Sequence, residues 1–116
     1  MMSRLKSKDG SSMAKKFHVL VKLTTESKHR RELLHALETL ATASLSTNFC
    51  LDFYITSPRD QPEIFHLIET FDSEEGYAKH LETAHVQQFL SEIVPNLTTA
   101  REAIYTESQS SRLDNN

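Results

Sequence analysis

The stretch Ile64 to Phe89, IFHLIETFDSEEGYAKHLETAHVQQF, decides how this chain is read. Its first eight residues alternate. Phe65, Leu67, Glu69 and Phe71 fall on one face of an extended segment, so a carboxylate stands in an otherwise apolar row. At Asp72 the pattern changes: an aspartate with Glu75 three residues on is a capping-box-like helix start, with acidic groups at the positive helix end. His80 and His85 follow. Two readings of Glu69 stand side by side. One is a structural ion pair or a solvated edge position. The other is a carboxylate near an imidazole in a closed pocket, where both pKa values shift and the pair can transfer protons.

Gly76 is expected in the second turn of this helix, at a cost of about 1 kcal/mol relative to alanine. It either admits a ligand or a neighbouring backbone, or is a tolerated surface glycine. Tyr77, His80 and Leu81 share a face at three- and four-residue spacing. On a continuous helix His80 and His85 point about 140° apart, which is not a same-face metal pair. Thr83 is placed to cap a second short helix carrying His85, Phe89, Leu90 and Ile93. Pro95-Asn96 is expected to end it, and Leu97 to Thr106 to form a last, weakly hydrophobic strand, either an edge or an arm exchanged with a partner.

Upstream, FHVLVKLT alternates from Phe17, with Phe17, Val19, Val21 and Leu23 on one face, and predicts the first strand. Between Lys28 and about Ser44, Leu33, Leu34, Leu37, Leu40 and Ala41 recur at helical spacing. Asn48 to Thr56 reads as the second strand, with Phe49, Leu51, Phe53 and Ile55 inward, and Ser57 to Pro62 as a turn that pairs it with the third as an antiparallel hairpin. The order β-α-β-β-α-β predicts one ferredoxin-like α+β domain with an antiparallel sheet over residues 15–107. Residues 1–14 read as a disordered leader and 108–116 as a disordered tail, both polar and without an apolar stripe. The third strand is apolar on both faces, so helices are expected on one side and a second subunit on the other.

Composition excludes several function classes. A 116-residue chain with net charge -3 and no basic patch has no footprint for nucleic acid. Two glycines, Gly10 and Gly76, build neither a phosphate loop nor a dinucleotide fingerprint. A single cysteine, Cys50, forms no internal disulfide and no thiolate zinc cluster, and fits a reducing, cytoplasmic setting. No apolar run reaches membrane-span length, so no membrane partner is expected. Chemistry is left to His, Glu, Asp, Tyr and Asn.

The run Glu69-x-Phe71, with His80 nine residues on, His85 five after that, and then Phe89, resembles the hallmark stretch of the antibiotic biosynthesis monooxygenase domain. This is the family of small quinol and anthrone monooxygenases, where the stretch reads Glu-x-Trp, an acidic helix start, then His-x(4)-His-Phe. The resemblance implies a dimeric α/β barrel of two ferredoxin-like protomers with a pocket between sheet and helices. It also implies oxidation of a small aromatic quinol or phenol by dioxygen without metal, flavin or other cofactor. Two departures stand out. Phe71 replaces the family's tryptophan, which argues against haem degradation, and Thr47-Asn48-Phe49 stands where many members have Glu-Pro-Gly.

In that reading His80 is the general base that forms the phenolate, since a phenol with a pKa near 10 needs one at neutral pH. Glu69 fixes its tautomer and supports the imidazolium. Phe65, Phe71 and Tyr77 supply flat apolar walls. Asn48, Tyr54 and Arg101 are further candidates for substrate hydrogen bonds, and His85 for a substrate contact, each with a structural role as the alternative. Competing with the monooxygenase are a non-enzymatic dimeric module that binds a small aromatic or fatty ligand, and an isomerase or lyase using the same histidine without oxygen.

Overall fold

The computed structural model describes residues 15–110. Four strands form one antiparallel sheet: β1 (Phe17–Thr24), β2 (Cys50–Thr56), β3 (Ile64–Phe71) and β4 (Ala100–Glu107), in the order β2-β3-β1-β4. Between β1 and β2 lies α1 (Arg30–Leu45), after a single 3-10 turn at Ser27–His29. Between β3 and β4 lie α2 (Glu74–Glu82), α3 (Ala84–Gln88), a π turn (Phe89–Ile93) and α4 (Val94–Leu97). This is the ferredoxin-like arrangement expected from the element order. The leader at 1–14 and the tail beyond 110 lie outside the described residues.

The alternation in β1 and β3 sorts the sheet into two faces. Val19, Val21, Leu23, Phe65, Leu67 and Phe71 turn inward and are buried under the helices, packed against Leu33, Leu37 and Leu40 of α1. Transfer of such side chains from water contributes roughly 1.5–3 kcal/mol each, which is why the inner rows dictate the register. The opposite face carries a row set by the pairings Tyr54 to Ile68, Ile68 to Leu20 and Leu20 to Ile104. All four are exposed, between 40% and 60%. The row crosses the whole sheet.

Several local expectations are corrected. β2 begins at Cys50 rather than Asn48, and a bulge between Cys50 and Asp52 resets its alternation. Cys50 and Phe53 are therefore the buried pair, while Leu51 is only partly buried, because the extra residue of a bulge exchanges faces. Pro95 does not end the helical stretch. It sits in the first turn of α4, where its missing N–H costs nothing, and the helix ahead of it widens into the π turn with the Val94 N–H donating to the Phe89 carbonyl. Leu97 is the buried end of α4, not the start of a strand.

β4 is an edge strand paired only with β1, as its weak hydrophobicity suggested. Its ladder is prolonged at both ends, by Thr99 N–H to the Thr24 carbonyl at 2.7 Å and Ser108 N–H to the Lys16 carbonyl at 3.0 Å. Ser108, expected in the tail, also bonds the His18 ring through its hydroxyl at 2.7 Å. No helix among the described residues is long and apolar enough to cross a membrane.

Candidate active site

The site is assembled where the middle of the sheet meets the end of α2. Glu69 is held inward on β3 between Phe53 of β2 and Val19 of β1, each directly opposite it in register. It is 5% exposed, so the sheet carries a carboxyl group into the core.

Helix α2 brings the histidine. Its N-cap is Ser73, not Asp72: the Ser73 hydroxyl accepts from the Gly76 N–H at 3.0 Å and donates to Asp72 Oδ1 at 3.2 Å. Asp72 is still tied to the sheet, its N–H bonded to the Phe49 carbonyl at 3.1 Å, so the chain turns into helix one residue later than the sequence pattern indicates. Gly76 accordingly lies in the first turn and is buried. A Cβ there would meet Asp72 Oδ1 and stand 3.0 Å from Phe49 Cβ, so the glycine serves a close approach within the fold.

His80 occupies the last turn of α2 and is 4% exposed. The helix then breaks at Thr83, whose backbone is extended (φ -70, ψ 151). The Thr83 hydroxyl donates to the His80 carbonyl at 2.7 Å and accepts from the Val86 N–H at 3.4 Å, closing one helix and capping the next. This break brings the His85 ring to 6.3 Å from the His80 ring, although a continuous helix would have turned them apart. Among the described residues no three His, Cys, Asp or Glu side chains converge as metal ligands would.

His80 Nε2 faces Glu69 Oε1 at 3.8 Å, and His80 Nδ1 is buried with no hydrogen-bond partner among the described residues. An ion pair would lower the carboxyl pKa and raise that of the imidazole. Both move the other way. Burial pushes the Glu69 carboxyl up to about 7, against a smaller opposing pull from Arg101, and burial together with the nearby His85 pushes the His80 imidazole down to about 4. The pair therefore rests as a carboxyl group and a neutral imidazole in mildly acidic solution, near contact but not a salt bridge.

A cavity of about 40 Å³ adjoins the pair, lined also by Tyr77, Leu81, Phe89 and Arg101. Tyr77 packs between Phe17 and Phe71 with ring centroids 5.4 and 5.3 Å away, and Phe71 lies 4.7 Å from the His80 ring. Burial, and a hydrogen bond to Tyr105, hold the Tyr77 hydroxyl above the usual phenol range, so it stays protonated. Cys50 offers no nucleophile, since burial pushes its thiol up to about 12.

Of the candidates named from sequence, Glu69, His80, Tyr77 and Arg101 line this cavity, and Phe71 packs at a tilt against the His80 ring. Others lie elsewhere. Phe65 is buried at the other end of β3 under the Arg30 guanidinium, 4.8 Å from its ring centre. Tyr54 points out of the opposite sheet face and is 57% exposed, and Asn48 is exposed in the loop before β2. His85 lines a separate cavity between α1 and α3. Leu40, which walls the site, reads in the sequence only as a core position of an amphipathic helix, whereas Phe89 also closes the stretch that resembles the family hallmark.

The fold and this arrangement define a ferredoxin-like α+β domain with a histidine and a carboxyl group enclosed between sheet and helices. The chain belongs to the antibiotic biosynthesis monooxygenase family, whose profile it matches over residues 16–92. Solved structures agree in fold. A protein of Pseudomonas aeruginosa superposes with a TM-score of 0.78 at 18% identity, covering 86% of this chain and 100% of that one. One of Nitrosomonas europaea, titled a "putative antibiotic biosynthesis monooxygenase", gives 0.75 at 18% identity over 81% and 90%. A protein of Bacteroides thetaiotaomicron gives 0.76 at 21% identity over 81% and 98%. No curated protein matches the sequence significantly.

Proposed function

We propose that the protein is a cofactor-independent monooxygenase that oxidises a small aromatic quinol or phenol with dioxygen. The observation that carries this reading is the buried neutral His80, its Nδ1 unsatisfied, facing Glu69 across a partly apolar cavity. A neutral imidazole carries the lone pair that accepts a phenolic proton, and the burial that keeps it neutral makes it a weaker base than free histidine, so the phenolate needs its own stabilisation. Arg101 places positive charge on the same cavity, where it favours the phenolate and any reduced oxygen species.

The stoichiometry closes without an outside reductant. The phenolate of a hydroquinone gives an electron to dioxygen, the resulting radicals combine through a new C–O bond, and the O–O bond then breaks. One oxygen atom stays on the ring as a hydroxyquinone and the other leaves as water. His80 takes the phenolic proton and returns it to the departing oxygen; the water's second proton comes from the ring C–H at the oxygenated carbon, which breaks together with the O–O bond, and the Glu69 carboxyl group relays it.

The working unit in this proposal is a homodimer in which the exposed row of Tyr54, Ile68, Leu20 and Ile104 is covered by a second copy. A second reading, a module that binds a small ligand without catalysis, draws support from the larger cavity of about 180 Å³, which lies beside His85 and is not lined by His80 or Glu69. Dioxygen uptake by the purified protein with a panel of hydroquinones and phenols separates the two. Uptake that depends on the quinol and survives chelator supports the monooxygenase, and a panel that binds without uptake leaves the binding module.

A further inference from the structure

Two cavities share Leu40 and Phe89 in their linings, and the one at His80 is too small for the ring that the proposed oxidation requires. It measures about 40 Å³, whereas an apolar cavity known to take benzene is about 150 Å³. The outer cavity is about 180 Å³ and opens between α1 and α3, with Ala36 and Thr39 on one flank and His85 and Gln88 on the other. That space accommodates one ring and offers it polar groups at the rim.

Leu40 and Phe89 line both cavities, and each is 6% exposed. These two side chains are the wall between the outer space and His80. Phe89 opens the π turn, in which the Val94 N–H reaches back five residues to the Phe89 carbonyl. Such turns are rare, single-turn departures from the α ladder that recur at functional sites. The His85 ring borders the outer cavity and lies edge-on to the His80 ring, 6.3 Å between centroids, so the two imidazoles are neighbours alongside that wall.

We infer that the outer cavity is an aromatic-binding vestibule, in which a single hydroxylated ring docks between α1 and α3 beside His85 and Gln88 and reaches His80 when Phe89 and Leu40 part. The inference rests on the proposed oxidation for its substrate class. Phe89 and Leu40 then set ring size, and His85 is a residue that meets the substrate before the chemistry does.

The test is an anaerobic titration with phenol, followed through the imidazole signals of His85 and His80 by NMR, alongside hydroquinone-dependent oxygen uptake. The full chain is expected to show a saturable shift of the His85 signals. Ala36→Leu, which fills the vestibule from the α1 side, is expected to weaken phenol binding at least tenfold and to lower kcat/KM for hydroquinone in proportion. Thr39→Leu, at an exposed position on the same flank, serves the same purpose should Ala36→Leu fold poorly. Absence of any His85 shift, or phenol affinity unchanged within twofold in the variant that folds, overturns the vestibule. The two proposals fail separately. Phenol binding at His85 in a protein that consumes no oxygen supports the vestibule and sinks the oxidation, whereas oxygen uptake indifferent to both variants does the reverse.

Discussion

His80 Nε2 lies 3.8 Å from Glu69 Oε1, with both side chains almost sealed from solvent at 5% and 6% exposure. At that distance and burial, the cost of taking either charge out of water exceeds what the partner returns, so burial favours the neutral form of each. The opposite shifts of the two groups shape how the fold responds to acid.

Stability should be nearly level between about pH 4.5 and 6.5, because the two groups pull in opposite directions. The Glu69 carboxyl, raised from 4.5 to about 7, binds more proton in the folded chain, so its contribution is complete below pH 4.5 and is lost as pH rises through 7. His80, lowered from 6.5 to about 4, binds less, so its contribution is complete above pH 6.5 and is lost as pH falls through 4. Single variants separate the slopes. Urea unfolding of Glu69→Gln should show stability climbing from pH 4 to 6.5, and that of His80→Gln stability declining from pH 4.5 to 7, each by up to about 3 kcal/mol. Equal, parallel curves for both variants and the parent would refute the paired shifts.

On activity, His80→Ala should lower quinol-dependent oxygen uptake by roughly 10²- to 10⁴-fold with the fold intact by circular dichroism. Glu69→Gln should cost less, since it keeps an acceptor beside the imidazole. The kcat profile of the parent should fall at low pH as His80 takes a proton, with its midpoint near the lowered value of about 4 rather than near 6.5. Full turnover in His80→Ala removes the histidine from the mechanism.

The exposed row on the sheet gives a prediction about assembly. Sedimentation should find a particle of twice 13.3 kDa at micromolar concentration. Ile68→Asp, at the centre of the row between Tyr54 and Leu20, should convert it to a monomer by burying an unpaired charge. A parent that sediments as a monomer leaves the row without the partner proposed for it.

Gly76 should respond against the usual rule for helices. Alanine in place of a helical glycine ordinarily stabilises by up to about 1 kcal/mol, but here the added Cβ meets Asp72 Oδ1 and lies 3.0 Å from Phe49 Cβ. Gly76→Ala is expected to destabilise by about 1–3 kcal/mol, and removing the clashing carboxylate in Asp72→Ala/Gly76→Ala should recover part of it. Ser73→Ala, which deletes the observed cap, should cost about 1 kcal/mol, more than Asp72→Ala alone. Chemical denaturation ranks the four.

Much of this protein was legible without coordinates because its signals are local. Alternation in Phe17–Thr24 and Ile64–Phe71 specified strands and their inner faces, since burial of alternate side chains is a property of the pleat alone. The spacing of Leu33, Leu37 and Leu40 specified α1, and the order of elements specified the ferredoxin-like topology. Glu69 and His80 were visible as a carboxylate in an apolar row and a histidine behind a helix start. The tertiary structure decided the rest. The bulge that turned Cys50 inward arises from pairing with β3, and the cap passed from Asp72 to Ser73 because a distant carbonyl, that of Phe49, held the Asp72 N–H in the sheet. Phe65 shares its strand face with Glu69 yet sits under Arg30, because a strand's length separates residues that its periodicity groups together. The neutral state of Glu69 and His80 was likewise beyond sequence: it follows from their shared burial, and burial is a property of the packed chain, not of either residue.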